Sequence, residues 1–169
     1  MANYELKQGL LSLSDTRDID SNMIDKIVKT ICAMANNGPE HTGKIIIGVA
    51  DKIADKDRIQ LLDGIDAKKV GQRYVVGISR EAKALGISIE QYFSKWKDGI
   101  RNSELSVGLR DQVLSNIDYN EFYGLGVITI TIPPQSEISY VGEQTYFRSA
   151  DDTIHATTPK QIAAIAKRF

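Results

Sequence analysis

The chain has 169 residues, 42% of them hydrophobic and 25% charged, with 21 basic and 22 acidic side chains and a formal charge of −1. That length can bury one core without staples, and the composition excludes collagen, wholesale disorder and a coiled-coil rod. One cysteine and two histidines leave no set for a cysteine-rich zinc site or a histidine-built metal centre, so a reducing, cytoplasmic setting is expected.

The segment 4–13 partly alternates and predicts a short opening strand, followed by a polar loop over 14–18. Asp20, Ser21 and Asn22 are N-cap residues, and Asp25 stands three after Asn22, at capping-box spacing. Ile24, Ile27, Val28, Ile31, Met34 and Ala35 then recur at helical spacing, which predicts a helix over 21–36. Asn36-Asn37-Gly38-Pro39 stops it. The unbroken β-branched run over 43–49 is expected to be a strand buried on both faces.

Residues 52–67 are polar and read as turns, with Asp55, Asp57 and Asp63-Gly64 as signals; 74–78 reads as a further short strand. From 80 to 116 the pattern is mostly helical, with breaks near Gly86 and from Gly99 to Ser103. Ile89, Tyr92, Phe93, Trp96 and Ile100 make one apolar face there, and Leu105, Leu109 and Val113 another. Residues 126–132 alternate, with Ile128, Ile130 and Ile132 on one side, until Pro133-Pro134 ends the strand. A strand over 145–148, an Asp151-Asp152 turn and a helix opened by Thr158-Pro159 follow. No repeat or linker interrupts this, so one mixed α+β domain over 1–169 is expected, with a mixed sheet, covering helices and a helical insertion at about 80–116. No apolar run reaches the ~18–20 residues of a membrane helix, and no membrane partner is expected.

Serine-hydrolase elbows, phosphate loops and His-Glu-x-x-His are missing from the sequence. Cys32 falls near the apolar face of the first helix and reads as a structural thiol, while His41 and His155 read as structural or solvent-facing. Glu5 and Lys7 share a face of the opening strand, and Asp51 closes the strand that begins at Gly43. If those strands are neighbours, Glu5 and Asp51 can hold a divalent cation while Lys7 meets a phosphate, as metal-assisted phosphodiester cleavage requires. Over 68–83, Lys68, Lys69, Arg73, Arg80 and Lys83 face a single acid, Glu81. That stretch is the candidate footprint for a polyanion, with a solvated face as the alternative.

The order Glu5-Leu6-Lys7, then Ala35-Asn36-Asn37-Gly38, then 43–51 ending Gly48-Val49-Ala50-Asp51, resembles the Schlafen Alba-like (AlbA_2-type) domain. Val127 to Pro133, with Tyr146-Phe147-Arg148 and Thr153, is similar to that family's closing strands. The resemblance implies nucleic-acid binding, with RNA as ligand. Taken with the basic stretch, it makes Lys7, Lys44, Lys68, Lys69, Arg73, Arg80 and Arg148 the expected phosphate contacts. It implies further that Glu5, Lys7 and Asp51 are catalytic positions, with Glu5 and Asp51 as ligands to Mg2+ or Mn2+ if the domain cleaves RNA. Binding itself needs no cofactor. The family's first carboxylate would fall at or before Met1, its zinc ligands have no counterpart, and its glycine after the arginine is Ala150 here. The expectation is therefore an RNA-binding domain of a larger defence or regulatory protein that cleaves poorly. A metal-dependent endoribonuclease and a non-catalytic interaction or nucleotide-sensing module are the alternatives. A homodimer that rebuilds a two-lobed cleft is also expected.

Overall fold

A computed structural model describes residues 3–169; the position of the family's first carboxylate lies outside them. In chain order the first half comprises β1 (Tyr4–Lys7), α1 (Met23–Ala35), β2 (Gly43–Ile47), β3 (Val49–Ala50), α2 (Ile53–Asp63), β4 (Lys68–Val70) and β5 (Arg73–Val75). Then come α3 (Ser79–Leu85), α4 (Ile89–Arg101), α5 (Val107–Leu114), β6 (Ile117–Asn120), β7 (Val127–Ile132), β8 (Tyr146–Ser149), β9 (Asp152–His155) and α6 (Pro159–Ala166).

The main sheet runs β1-β2-β7-β6. β1 lies parallel to β2, with Glu5 opposite Ile45 and Lys7 opposite Ile47, and β7 lies antiparallel to β2 with Ile130 opposite Ile45. The three expected strands thus share one sheet, with 43–47 in its interior. Ile45, Ile47, Ile128, Ile130 and Ile132 form a fully buried face beneath α1 and α4, packed with Ile27, Ile31, Tyr92, Trp96 and Ile100. Each such side chain contributes about 1.5–3 kcal/mol by leaving water.

The expectation that β2 is buried on both faces is corrected here. Lys44 is exposed and Ile46 only half-buried, because the helices cover one side of the sheet. The other side meets a smaller sheet, β3-β5-β4, where Leu6, Ile46 and Val127 pack against Val49, Val75 and Leu125. Gly48, at φ +107°, makes the turn from β2 into β3, and a side chain there would crowd the backbone of Gly77 and Gly126.

The first helix ends close to its predicted bounds, but the capping box does not form. Asp20 accepts the Asn22 N–H instead, and Asp25 pairs with Lys29 at 2.8 Å. At the other end Asn36 is fully buried and ties α1 to the approach of β8. Its Nδ2 donates to the Thr145 hydroxyl and the Tyr146 carbonyl, both at 2.9 Å, and its Oδ1 accepts from Ser139 N. The motif asparagine is a structural tie.

Residues read as turns over 52–67 instead contain α2, whose single buried residue, Ile59, leaves no apolar stripe to read. Gly64 ends it at φ +66°. The 80–116 insertion is three helices, and both expected breaks are present, at Gly86 and, within 99–103, after Arg101. Gly99 stays inside α4 because Ile24 packs against its bare backbone, where a Cβ would stand 2.6 Å from Ile24 Cγ2. Thr158 closes a capping box with Gln161, with Pro159 in the first turn of α6.

Candidate nucleic-acid interface

The pleat of β1 aims Glu5 and Lys7 toward α1, at the edge of the main sheet. β8 arrives beside them because α1 packs on it and Asn36 holds its start. Between these elements opens a cleft of about 470 Å³, lined among others by Glu5, Lys7, Lys26, Lys29, Arg148 and His155.

Arg148 forms the cleft's rigid centre. Its side chain is 2% exposed, its Nη2 donates to Glu5 Oε2 at 2.9 Å, and its Nη1 donates to Thr153 Oγ1 at 2.9 Å. Thr153 in turn shares a hydrogen bond with Thr30 of α1 at 2.9 Å. Lys7 Nζ stands 3.9 Å from the other Glu5 oxygen, so the carboxylate is flanked by two cations. Lys26 and Lys29 stand on the outward side of α1; a hydrogen bond to Asp25 holds the Lys29 ammonium above its ordinary range and keeps it charged. Tyr146 and His155 stack at 5.1 Å along one wall. Asp151 and Asp152 sit at the rim, on the β8–β9 turn.

Of the expected site residues, Glu5, Lys7 and Arg148 come together in this cleft, but Arg148, 2% exposed and held by Glu5 and Thr153, supplies charge at the floor and not the expected direct phosphate contact. Asp51 does not line the cleft; at the end of β3 it bonds Arg73 Nε at 3.0 Å. Lys44 lies on the opposite face of the sheet. Lys68 and Lys69, neighbours on β4, point to opposite sides of the small sheet. Arg80 requires a correction. It is 4% exposed and unavailable to a phosphate, because it donates to Asp63, to the Gly77 carbonyl and to Gln8.

Glu81, the one acid of that basic stretch, is fully buried and accepts from Leu10 N, Leu11 N and the Tyr92 hydroxyl. Arg17 and Arg80 both reach Asp63 and Glu81. This ion network fastens the loop after β1 to α2 and α3. The charge cluster at 80–81 is therefore an internal brace.

A divalent metal fits the donor set poorly. Glu5 is already held by Arg148 and Lys7, Asp51 by Arg73, and no group of three or more His, Cys, Asp or Glu is poised to bind a metal among the described residues. Cys32 is no alternative nucleophile: burial pushes its thiol up to about 12.

Lys26, Lys29, Thr30 and His155 were not expected in the site. The readable signal was Lys26, Lys29 and Thr30 at spacing i, i+3, i+4, which places them along one edge of the predicted helix.

The family model described as Schlafen, AlbA_2 matches residues 2–157. The chain belongs to the Schlafen AlbA_2 family. Membership points to a nucleic-acid-related role for this AlbA_2 domain. No curated protein matches it in sequence. Among solved structures, the crystal structure of the DIP2311 protein from Corynebacterium diphtheriae matches with a TM-score of 0.55 at 13% identity, over 98% of this chain and 24% of the other. That likeness shows the α+β fold alone, and the chain spans about a quarter of the length of that protein. No helix among the described residues is long and apolar enough to cross a membrane.

Proposed function

We propose that the domain binds RNA through the cleft between β1, α1 and the β8–β9 hairpin, and that it does not cleave the RNA efficiently. The observation that carries this reading is the set of three accessible lysines, Lys7, Lys26 and Lys29, around one cleft with the buried Arg148 at its floor, in a chain of the AlbA_2 family. Lysines on the outward side of α1 are suited to the phosphate backbone, which they contact without reading sequence. Arg148, held by Glu5 and Thr153, adds a fixed positive charge at the floor. His155, exposed and stacked on the buried Tyr146 ring, offers a flat face of the kind on which an unpaired base settles.

Weak cleavage follows from the donor set. Two carboxylates already engaged by arginine do not hold a hydrated magnesium in a geometry that activates water. The test is a titration of the domain with a structured RNA hairpin at about 50 and about 200 mM salt, with the RNA afterwards run on a denaturing gel. Binding that weakens with salt and leaves the RNA intact supports the reading. Efficient Mg2+- or Mn2+-dependent cleavage lost in Asp51→Asn would instead establish the endoribonuclease. No binding at low salt would remove both and leave an interaction module.

A further inference from the structure

The alternation of β1 serves two surfaces. Glu5 and Lys7 face the cleft, whereas Tyr4 and Leu6 face the other side of the sheet, beside Lys44 and Ile46. On that side a groove of about 450 Å³ is lined by Tyr4, Leu6, Ile46, Gln72 and Arg73. Its floor is aliphatic and one wall is the β4–β5 hairpin.

Strand register sorts that hairpin's charges. Lys68, Val70 and Arg73 share the side of Val49 and Val75, which packs against Leu6 and Ile46. Lys69 shares the other side with Tyr74 and Ala50, toward Ile59 of α2. Arg73 therefore lines the groove, and Lys44 and Lys68 stand on the same side of the two sheets. The acids on that face are Asp51, bonded to Arg73, and Asp118 on the far edge strand β6. Two aromatic rings stand open: Tyr4, in the groove, is 54% exposed, and Tyr123, on the β6–β7 loop, is 75% exposed with Lys68 Nζ 5.0 Å from its ring centre.

We infer that this groove is a second contact surface, for single-stranded RNA that passes over the β1 edge from the cleft. The inference rests on the cleft reading and extends it. β1 is the outer strand of the main sheet, so a ligand crossing it meets Lys7 on one side and Tyr4 on the other. Open rings beside lysines suit an unpaired strand: bases stack on the rings and phosphates meet the ammonium groups. An apolar protein segment fits worse, because docking it would strip water from Lys44 and Lys68 without supplying an acceptor. Joining two weak surfaces on one strand raises affinity through effective concentration.

The experiment is fluorescence anisotropy with labelled oligouridylates of about twelve and about four nucleotides. The longer strand should bind more tightly, because the shorter one reaches a single surface. For the longer strand, Tyr4→Ala should weaken binding about tenfold. Lys68→Ala should weaken it about threefold and lower the salt slope by about 0.7, whereas Lys69→Ala, the same charge change one residue on, should do neither. If Tyr4→Ala and Lys68→Ala bind like the wild type, or Lys69→Ala matches Lys68→Ala, the groove is not a contact surface and the cleft reading stands alone. If wild type binds neither strand nor a structured hairpin, both fall.

Discussion

Glu5 and Arg148, 143 positions apart, meet at 2.9 Å across the open edge of the main sheet. The first strand and the closing hairpin are joined there by one charge-assisted hydrogen bond whose arginine is almost wholly buried. The pair gives the cleft its floor, and it takes up a carboxylate that a metal would otherwise need.

Removing the arginine should therefore cost stability as well as binding. Arg148→Ala leaves Glu5 and Thr153 short of a partner and is expected to cost about 2 kcal/mol. Thermal unfolding should show a drop of about 4–8 °C. Glu5→Gln keeps an acceptor for Arg148 and should cost about half as much.

The buried brace should be more sensitive. Glu81→Gln withdraws a charge that Arg17 and Arg80 approach and that two backbone N–H groups and Tyr92 donate to. A loss of about 3–5 kcal/mol in urea unfolding is expected, against less than about 0.5 kcal/mol for Glu137→Gln on the surface. Equal losses would show that the network is not a brace.

These two sites mark what could and could not be read from the residues alone. The alternation of Ile128, Ile130 and Ile132 and the spacing of Ile27, Ile31 and Met34 name their buried faces directly, because periodicity reports burial. α2 has no such period, since Ile59 is its one buried apolar residue. Arg80 and Glu81 look like surface charge in sequence, and only the fold turns them into an internal pair. In the site, Glu5, Lys7 and Arg148 were reachable through motif order. The spacing of Lys26 and Lys29 puts them on one edge of the predicted helix, but only the β8–β9 hairpin rising beside that edge makes it a cleft wall.

Backbone sites separate in the same physical way. At Gly77, φ is +76° and a Cβ would lie 2.1 Å from the Leu125 carbonyl oxygen, so Gly77→Ala must push the backbone apart. Gly64→Ala meets open space and bears only the left-handed conformation, about 1–2 kcal/mol. Soluble yield and thermal unfolding of the two variants should differ sharply, with Gly77→Ala failing to fold.

Alkaline pH should weaken the fold partly through Cys32. Burial raises its folded-state value from 9.0 to about 12, so between those values the unfolded chain releases a proton that the folded chain keeps. Stability from this group is whole below the unfolded value and falls as pH rises through that window, by at most about 1.4 kcal/mol per pH unit. Tyr92, raised mainly by burial, and Tyr119, raised to about 12, act in the same direction at higher pH. Urea unfolding at pH 8 and pH 10 should show a shallower decline in Cys32→Ala than in the wild type. Parallel declines would mean that the thiol is not buried in the folded protein.

The cleft itself is tested most directly by the salt dependence of RNA binding. The measurement is the slope of log K against log salt for a structured hairpin, in the wild type and in a Lys26→Ala, Lys29→Ala double variant. Both lysines are on the solvent-facing side of α1, so the double variant should fold normally while losing two phosphate contacts. The account predicts that its slope is smaller than that of the wild type by about 2 and that its affinity is lower at low salt. An unchanged slope and affinity in the double variant would contradict the claim that this cleft holds the RNA.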